Sequence, residues 1–342
     1  MESHLLHSGS VLDQPLLTCL LGRTLKSDEV QAVVNGWEQL EWVDEEDLEA
    51  ARIDGRLSLM NHEVGLYLFF TTADRYTRRY GKPQGEDSLV LARIVFLLNF
   101  GRGFSPFSGP LPLGLAPAEH CESIMQRVSR PVRSWSVGGR VCKARWQPDN
   151  LDVDVSFSAQ GIKLVSVTPA PRTAGDHTPS MPLPTPAEFV DLFGMPLSSL
   201  RRRPELKGLN LGARVAEIGT YGEADFSAEY GLELYFKPGG EIDRGIYPGP
   251  QTNEPCLSGL RYRVDLDFSS TGYKGGLPKG LDFGDPVEVA TAKVEVPPDK
   301  ESFDEHDGYQ RWHLARTDFH VLYSLMEDRI YRVTLLAHGC YE

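Results

Sequence analysis

The sequence predicts an α+β protein of two tandem homologous domains, each an antiparallel sheet with helices packed on one face. Three observations carry this. The first is an internal repeat. Gly109-Pro110-Leu111-Pro112-Leu113-Gly114-Leu115 recurs 166 residues later as Gly275-Gly276-Leu277-Pro278-Lys279-Gly280-Leu281, both reading G-x-L-P-x-G-L. At the same spacing Gly65-Leu66-Tyr67-Leu68-Phe69-Phe70 recurs as Gly231-Leu232-Glu233-Leu234-Tyr235-Phe236, and Trp146 falls on Trp312. Near the end of each half the spacing becomes 168, setting Val153, Ile162 and Val165 on Val321, Ile330 and Val333. At the start, Leu21-Gly22-Arg23-Thr24-Leu25 matches Phe193-Gly194-Met195-Pro196-Leu197 at a spacing of 172. The second observation is length: 342 residues, at roughly 150 per domain, make two domains. The third is 33 Gly and 24 Pro, a density that suits turns and strands better than long helices.

Composition sets the domain limits. Residues 1–15 read as a loosely ordered N-terminus, 16–168 as the first repeat, 169–186 as a Pro-rich linker and 187–342 as the second repeat.

Each half opens with an amphipathic helix. In the second, Thr185-Pro186-Ala187-Glu188 is a start signal, with Thr as N-cap, Pro at the first helical position and Glu at the third. Phe189, Leu192 and Phe193 follow at helical spacing, and Gly194 is the stop. Short aromatic strands come next, 66–70 and 232–236, then 90–97 and 260–268. The last alternates strictly, which marks one wet face. The G-x-L-P-x-G-L element leads into a short helix, 116–128 in one copy and 285–294 in the other, with Asp285 expected as N-cap. A hairpin closes each half: 151–155 with 162–167, and 319–323 with 330–335.

Charge narrows the partners. Lys and Arg number 35 against 48 Asp and Glu, a formal net charge of −13. Phosphate binding needs Lys and Arg, so neither nucleic acid nor anionic membrane is expected as a direct partner. A basic protein is compatible, because complementary fields steer association. The acid is concentrated in Asp44, Glu45, Glu46 and Asp47, and again in Asp304, Glu305 and Asp307. Solvated charge runs explain such clusters as a matter of course; the functional reading is a patch that meets a basic partner, and these seven are the candidate partner-binding residues.

No catalytic or cofactor motif is found, so no cofactor and no enzymatic activity is expected. P-loop, G-x-G-x-x-G, H-E-x-x-H and G-x-S-x-G patterns are absent. The five cysteines are widely spaced without C-x-x-C, which points to a reducing compartment. Leu16-Leu17-Thr18-Cys19 resembles a lipoprotein box only faintly, with no Lys or Arg before it, so a cytoplasmic protein is expected. No run approaches 18 apolar residues, so no transmembrane helix is expected. His306, His313 and His320 are spaced by seven, but the last two fall in expected strand or adjoining loop, where a step of seven puts residues on opposite faces, which argues for surface or half-buried histidines rather than metal ligands. His120 and Cys121 are adjacent on a helix and point apart, so they make no nucleophile pair. The paired Trp146 and Trp312 read as core anchors.

The order of helix, short aromatic strands, G-x-L-P-x-G-L turn at 109–115 and 275–281, short helix, Trp and terminal hairpin resembles the tandem-domain immunity proteins that bacteria encode beside antibacterial toxins, including type VI secretion effectors. The resemblance covers residues 16–168 and 185–336; the first copy departs with an acidic segment at 38–54 and with Pro110 where the second has Gly276. It implies an inhibitor of one cognate toxin. With the acidic charge, the expected partner is a basic nuclease, blocked by occlusion or distortion of its active site. An adaptor of a secretion apparatus and an enzyme with an unfamiliar site are the alternative classes.

Overall fold

The computed structural model describes residues 17–35, 37, 45–99, 101, 103–171, 183–249, 252–265, 267 and 270–340. The N-terminal residues 1–15, Asp44 and residues 172–182 of the Pro-rich stretch therefore lie outside the described residues. The chain divides into two compact units, one of residues 1–134 with 141–172 and one of 135–140 with 173–342.

Two seven-stranded antiparallel sheets with helices around them make the protein α+β. In the first half the strands are β1 (Arg56–Asn61), β2 (Leu66–Thr72), β3 (Leu89–Leu97), β4 (Arg133–Val137), β5 (Arg140–Trp146), β6 (Leu151–Ser158) and β7 (Gly161–Pro169), in the sheet order β1-β2-β3-β7-β6-β5-β4. The second half has β8 (Glu223–Phe226), β9 (Leu232–Pro238), β10 (Pro255–Arg263), β11 (Lys300–Phe303), β12 (Asp307–His313), β13 (Thr317–Ser324) and β14 (Arg329–Ala337). Read from β8, its order is β8-β9-β10-β14-β13-β12-β11, the same topology strand for strand. Helices are α1 (Asp28–Val34), α2 (Glu45–Asp54), α3 (Ala73–Tyr80) and α4 (Cys121–Arg127), then α5 (Pro186–Asp191), α6 (Leu197–Leu200), α7 (Val215–Tyr221), α8 (Ser227–Tyr230) and α9 (Val287–Val294).

The repeat is visible in single hydrogen bonds. A β-bulge skips Ala92 in β3 and, 166 residues on, Ser258 in β10. Gly22 N donates to Leu91 O and Gly194 N to Leu257 O, so the opening match at a spacing of 172 is real. Leu113 and Lys279 are both left-handed at φ 59° and 57°, inside matching one-turn helices started by Pro112 and Pro278. Trp146 and Trp312 are buried; their indoles donate to Ser129 O at 3.0 Å and Val296 O at 2.9 Å. Apolar residues at alternate strand positions, such as Leu66, Leu68 and Phe70, or Leu232, Leu234 and Phe236, fill each core.

Four expectations need correction. The spacing of 168 does not begin at Val153. Trp146 pairs with Val153 and Trp312 with Phe319, so β6 and β13 keep 166. The two extra residues sit in the following turn, closed by Ser158 opposite Gly161 in one copy and Ser324 opposite Arg329 in the other. The strand expected at 260–268 is β10, which starts and ends five residues earlier. Its register with β9 is fixed from Pro255 to Tyr262, and beyond Arg263 the chain turns away. The alternation continues past that end because Asp267 is a buried counter-ion of Arg263 and Arg332 rather than a wet-face residue. Asp285 does not cap α9. Its Oδ2 accepts from Asp282 N at 2.8 Å and from Lys293 Nζ at 2.7 Å, and Pro286 occupies the cap position. The helix expected over 116–128 is only α4, because Glu119 turns back to Ala116 N and so closes the preceding turn. The Thr185 capping box forms as expected, with Thr185 Oγ1 accepting from Glu188 N and Glu188 Oε2 from Thr185 N.

Candidate functional site

The C-terminal acidic residues share one hairpin. β11 is the edge strand of its sheet and all four residues are exposed. Between β11 and β12, Asp304 Oδ1 accepts from both His306 N and Asp307 N at 2.7 Å. These backbone donors, Asp307 first, hold its carboxyl below the usual carboxylate range. Asp304 is therefore spent on the turn, while Glu305 and Asp307 are exposed at the tip. Two further acids brace the hairpin: Glu301 accepts from Gln310 Nε2 at 2.9 Å, and Asp299 from His313 N at 2.6 Å. His306 O accepts from Leu325 N, tying the tip to the turn between β13 and β14. Beside the acids, Val296 and Phe303 are exposed apolar residues.

The other acidic cluster belongs to the first unit. Glu45, Glu46 and Asp47 open α2, and Glu46 is exposed; the side chains of Glu45 and Asp47 lie outside the described residues, as Asp44 does entirely. Later in the helix Glu49 pairs with Arg52 at 3.0 Å.

The histidines part company. His306 sits in the hairpin turn. His320 lies on β13, its imidazole pushed down to about 4 by burial first and then by Arg261 and Arg311. His313 instead meets two residues with which sequence spacing did not connect it. Its Nδ1 is 2.6 Å from Asp318 Oδ1, and His338 Nδ1 is 3.5 Å from the same oxygen. Residues 313 and 318 face each other across the β12–β13 pair, and His338 follows the last residue of β14. Among the described residues this is the group of His, Cys, Asp or Glu side chains arranged to hold a metal ion, with ligand atoms within 4.8 Å of one another.

Elsewhere several charged groups pair with one another. On the outer face of the second sheet Glu233 accepts from Arg261, Arg263 and Tyr235, and Asp267 from Arg263 and Arg332. On the first, Arg145 grips Asp154 through two bonds of 2.7 and 2.8 Å. Cys121 is buried and its thiol is pushed up to about 11, by burial and then by Glu122, so it stays protonated at neutral pH. Among the described residues no helix is long and apolar enough to cross a membrane. No family model, curated protein or solved structure matches the chain.

Proposed function

We propose that this protein is a cytoplasmic inhibitor that binds and blocks one basic protein, a toxin of the nuclease class, as the resemblance to immunity proteins implies. The observation that supports it best is the β11–β12 hairpin: an exposed sheet edge carrying a braced, acidic tip. An open edge offers backbone groups to an added strand, and Lys300 and Glu301 on it discourage self-pairing. Glu305 and Asp307 supply a negative field that steers a basic partner and stands in for the phosphates of its substrate. Bracing by Asp299, Glu301 and Asp304 lowers the ordering cost on binding.

The test is co-expression with the product of the adjacent gene in a sensitive cell, followed by co-purification. Toxicity that this protein relieves, together with a stable complex, supports the reading. A neighbour that neither binds nor kills overturns it. Within a complex, the Glu305→Lys, Asp307→Lys double variant is expected to slow association about tenfold at low salt and to flatten its salt dependence. Unchanged on-rates remove the hairpin from the interface.

A further inference from the structure

We infer that His313, Asp318 and His338 form a binding site for a borderline divalent transition-metal ion, Zn²⁺ in the first instance. The donor set fits. Two imidazoles and one carboxylate are ligands that Zn²⁺ takes at about 2.0–2.2 Å, which separates tetrahedral donor atoms by roughly 3.3 Å. The Asp318 oxygen stands 2.6 Å from one imidazole nitrogen and 3.5 Å from the other, and all three ligand atoms lie within 4.8 Å of one another, so metal entry asks for side-chain shifts of no more than about 1.5 Å. Asp318 is buried (1% exposed) and already oriented: its Oδ2 accepts from Gly339 N at 3.2 Å and lies 4.0 Å from Arg311. That outer contact fixes the carboxylate, as outer groups do around metal ligands. Both histidine backbones are pinned, His313 N by Asp299 and His338 N by the Tyr247 hydroxyl. The imidazoles are about 40% exposed, so an ion has a path in and keeps a position for water or for a ligand from a partner.

Two further observations separate this from an ordinary hydrogen-bonded pair. The Nδ1 of His338 is buried and has no hydrogen-bond partner. A buried imidazole nitrogen that stands 3.5 Å from its nearby carboxylate oxygen, too far for a full hydrogen bond, gains when a ligand satisfies it. The second observation is the other copy. At the positions of Arg311, His313 and Asp318 the first repeat has Arg145, Gln147 and Asp152, and Gln147 Nε2 donates to Asp152 Oδ1 at 2.8 Å. Glutamine thus suffices for the structural contact. The second copy replaces that glutamine with histidine and also places His338 where the first has Ala170. Two changes to imidazole converge on one carboxylate that the scaffold already presented.

The first repeat also supplies the control. Full-length protein, stripped with a chelator, is titrated calorimetrically with Zn²⁺ alone, beside the variants His313→Gln with His338→Ala, His338→Ala alone, and His306→Gln. Wild type and His306→Gln are expected to bind one equivalent; the double variant is expected to lose at least about tenfold in affinity. Bound Co²⁺ reads the same site by its visible absorption, which should weaken in the double variant only if nitrogen ligands are lost. The double variant carries the residues of the first repeat and is expected to keep the wild-type circular dichroism. If it does not fold, His338→Ala alone decides, since His338 lies outside the strands. No binding below millimolar Zn²⁺, or binding that the substitutions leave unchanged, overturns the inference.

Discussion

Gly231→Ala is the substitution on which the backbone argument stands or falls. Gly231 precedes β9 with φ +65°; its N donates to Ser227 O and its carbonyl accepts from Arg263 N. An added Cβ would lie 2.1 Å from Tyr273 N and 2.4 Å from Gly272 C, both main-chain atoms that no rotamer change can move. The left-handed conformation costs an alanine about 1–2 kcal/mol. Reduced freedom of the unfolded chain returns about 0.4–1 kcal/mol. Displacing the 272–273 backbone adds roughly 1–3 kcal/mol, the usual range for overpacking. The net loss is about 1–5 kcal/mol, which at a slope near 2 kcal/mol per molar urea moves the midpoint down by about 0.5–2.5 M. The assay is urea unfolding of the full chain, with hydrogen exchange of β9 and β10 amides assigning the transition to its unit. Gly276→Ala is the control: its Cβ meets nothing within 4 Å and its φ is outside the left-handed region. A Gly231→Ala midpoint indistinguishable from wild type would refute the reasoning, because the close approach would then be absent.

Three other outcomes follow from the same structure. Gly276→Pro copies Pro110 of the first repeat and should raise stability by about 0.4–1 kcal/mol, read as a higher urea midpoint. Trp312→Phe removes the indole bond to Val296 O and should cost about 1–3 kcal/mol by the same assay. Burial would raise the Asp154 carboxyl, but the Arg145 hydrogen bond and the charges of Lys143, Arg145 and Arg93 outweigh it and hold it below the usual range. A depressed folded value means stability present above about pH 4 and lost as pH falls through the folded value. Asp154→Asn should therefore lower stability at neutral pH and flatten the acid limb of a stability–pH curve.

What was legible in the sequence was whatever the backbone itself demands. Gly65 and Gly231, the two prolines that open the G-x-L-P-x-G-L turns, and the Trp pair are fixed by φ, by turn geometry and by a single indole bond, so both copies kept them. Short edge strands were not legible. β11 buries none of its four residues and β8 only alternate ones, so neither carries an apolar run to read. β5 and β12 were hidden because their inner sides carry few apolar residues, Cys142, Ala144 and Trp146 in one and Gly308, Gln310 and Trp312 in the other, with charged residues such as Lys143, Arg145 and Arg311 between them. The His–Asp–His group was missed for a related reason. Spacing arguments compare residues within one segment, whereas His313, Asp318 and His338 meet through strand register, and His338 comes from a third strand's end. The sequence signal that could have found it was the repeat itself: Gln147 and Ala170 in one copy against His313 and His338 in the other.

That comparison extends to the whole sheet. Strand residues alternate between faces, so a duplicated sheet can hold one face constant while the other changes. The inner faces match: Leu66, Leu68 and Phe70 against Leu232, Leu234 and Phe236, and Trp146 against Trp312. The outer faces do not. Tyr67, Val95 and Leu97 of the first sheet, all buried, correspond to Glu233, Arg261 and Arg263 of the second, and Asp154 to His320. Core packing alone would favour apolar residues on both copies, since buried ion pairs gain little over well-packed apolar ones. The second sheet nonetheless carries a larger network of Arg, Glu and Asp side chains than the Arg145–Asp154 pair of the first, together with an acidic edge hairpin and two histidines around one carboxylate. Folding requirements explain the shared inner face; binding of the partner proposed above would account for the divergent outer face and edge of the second sheet.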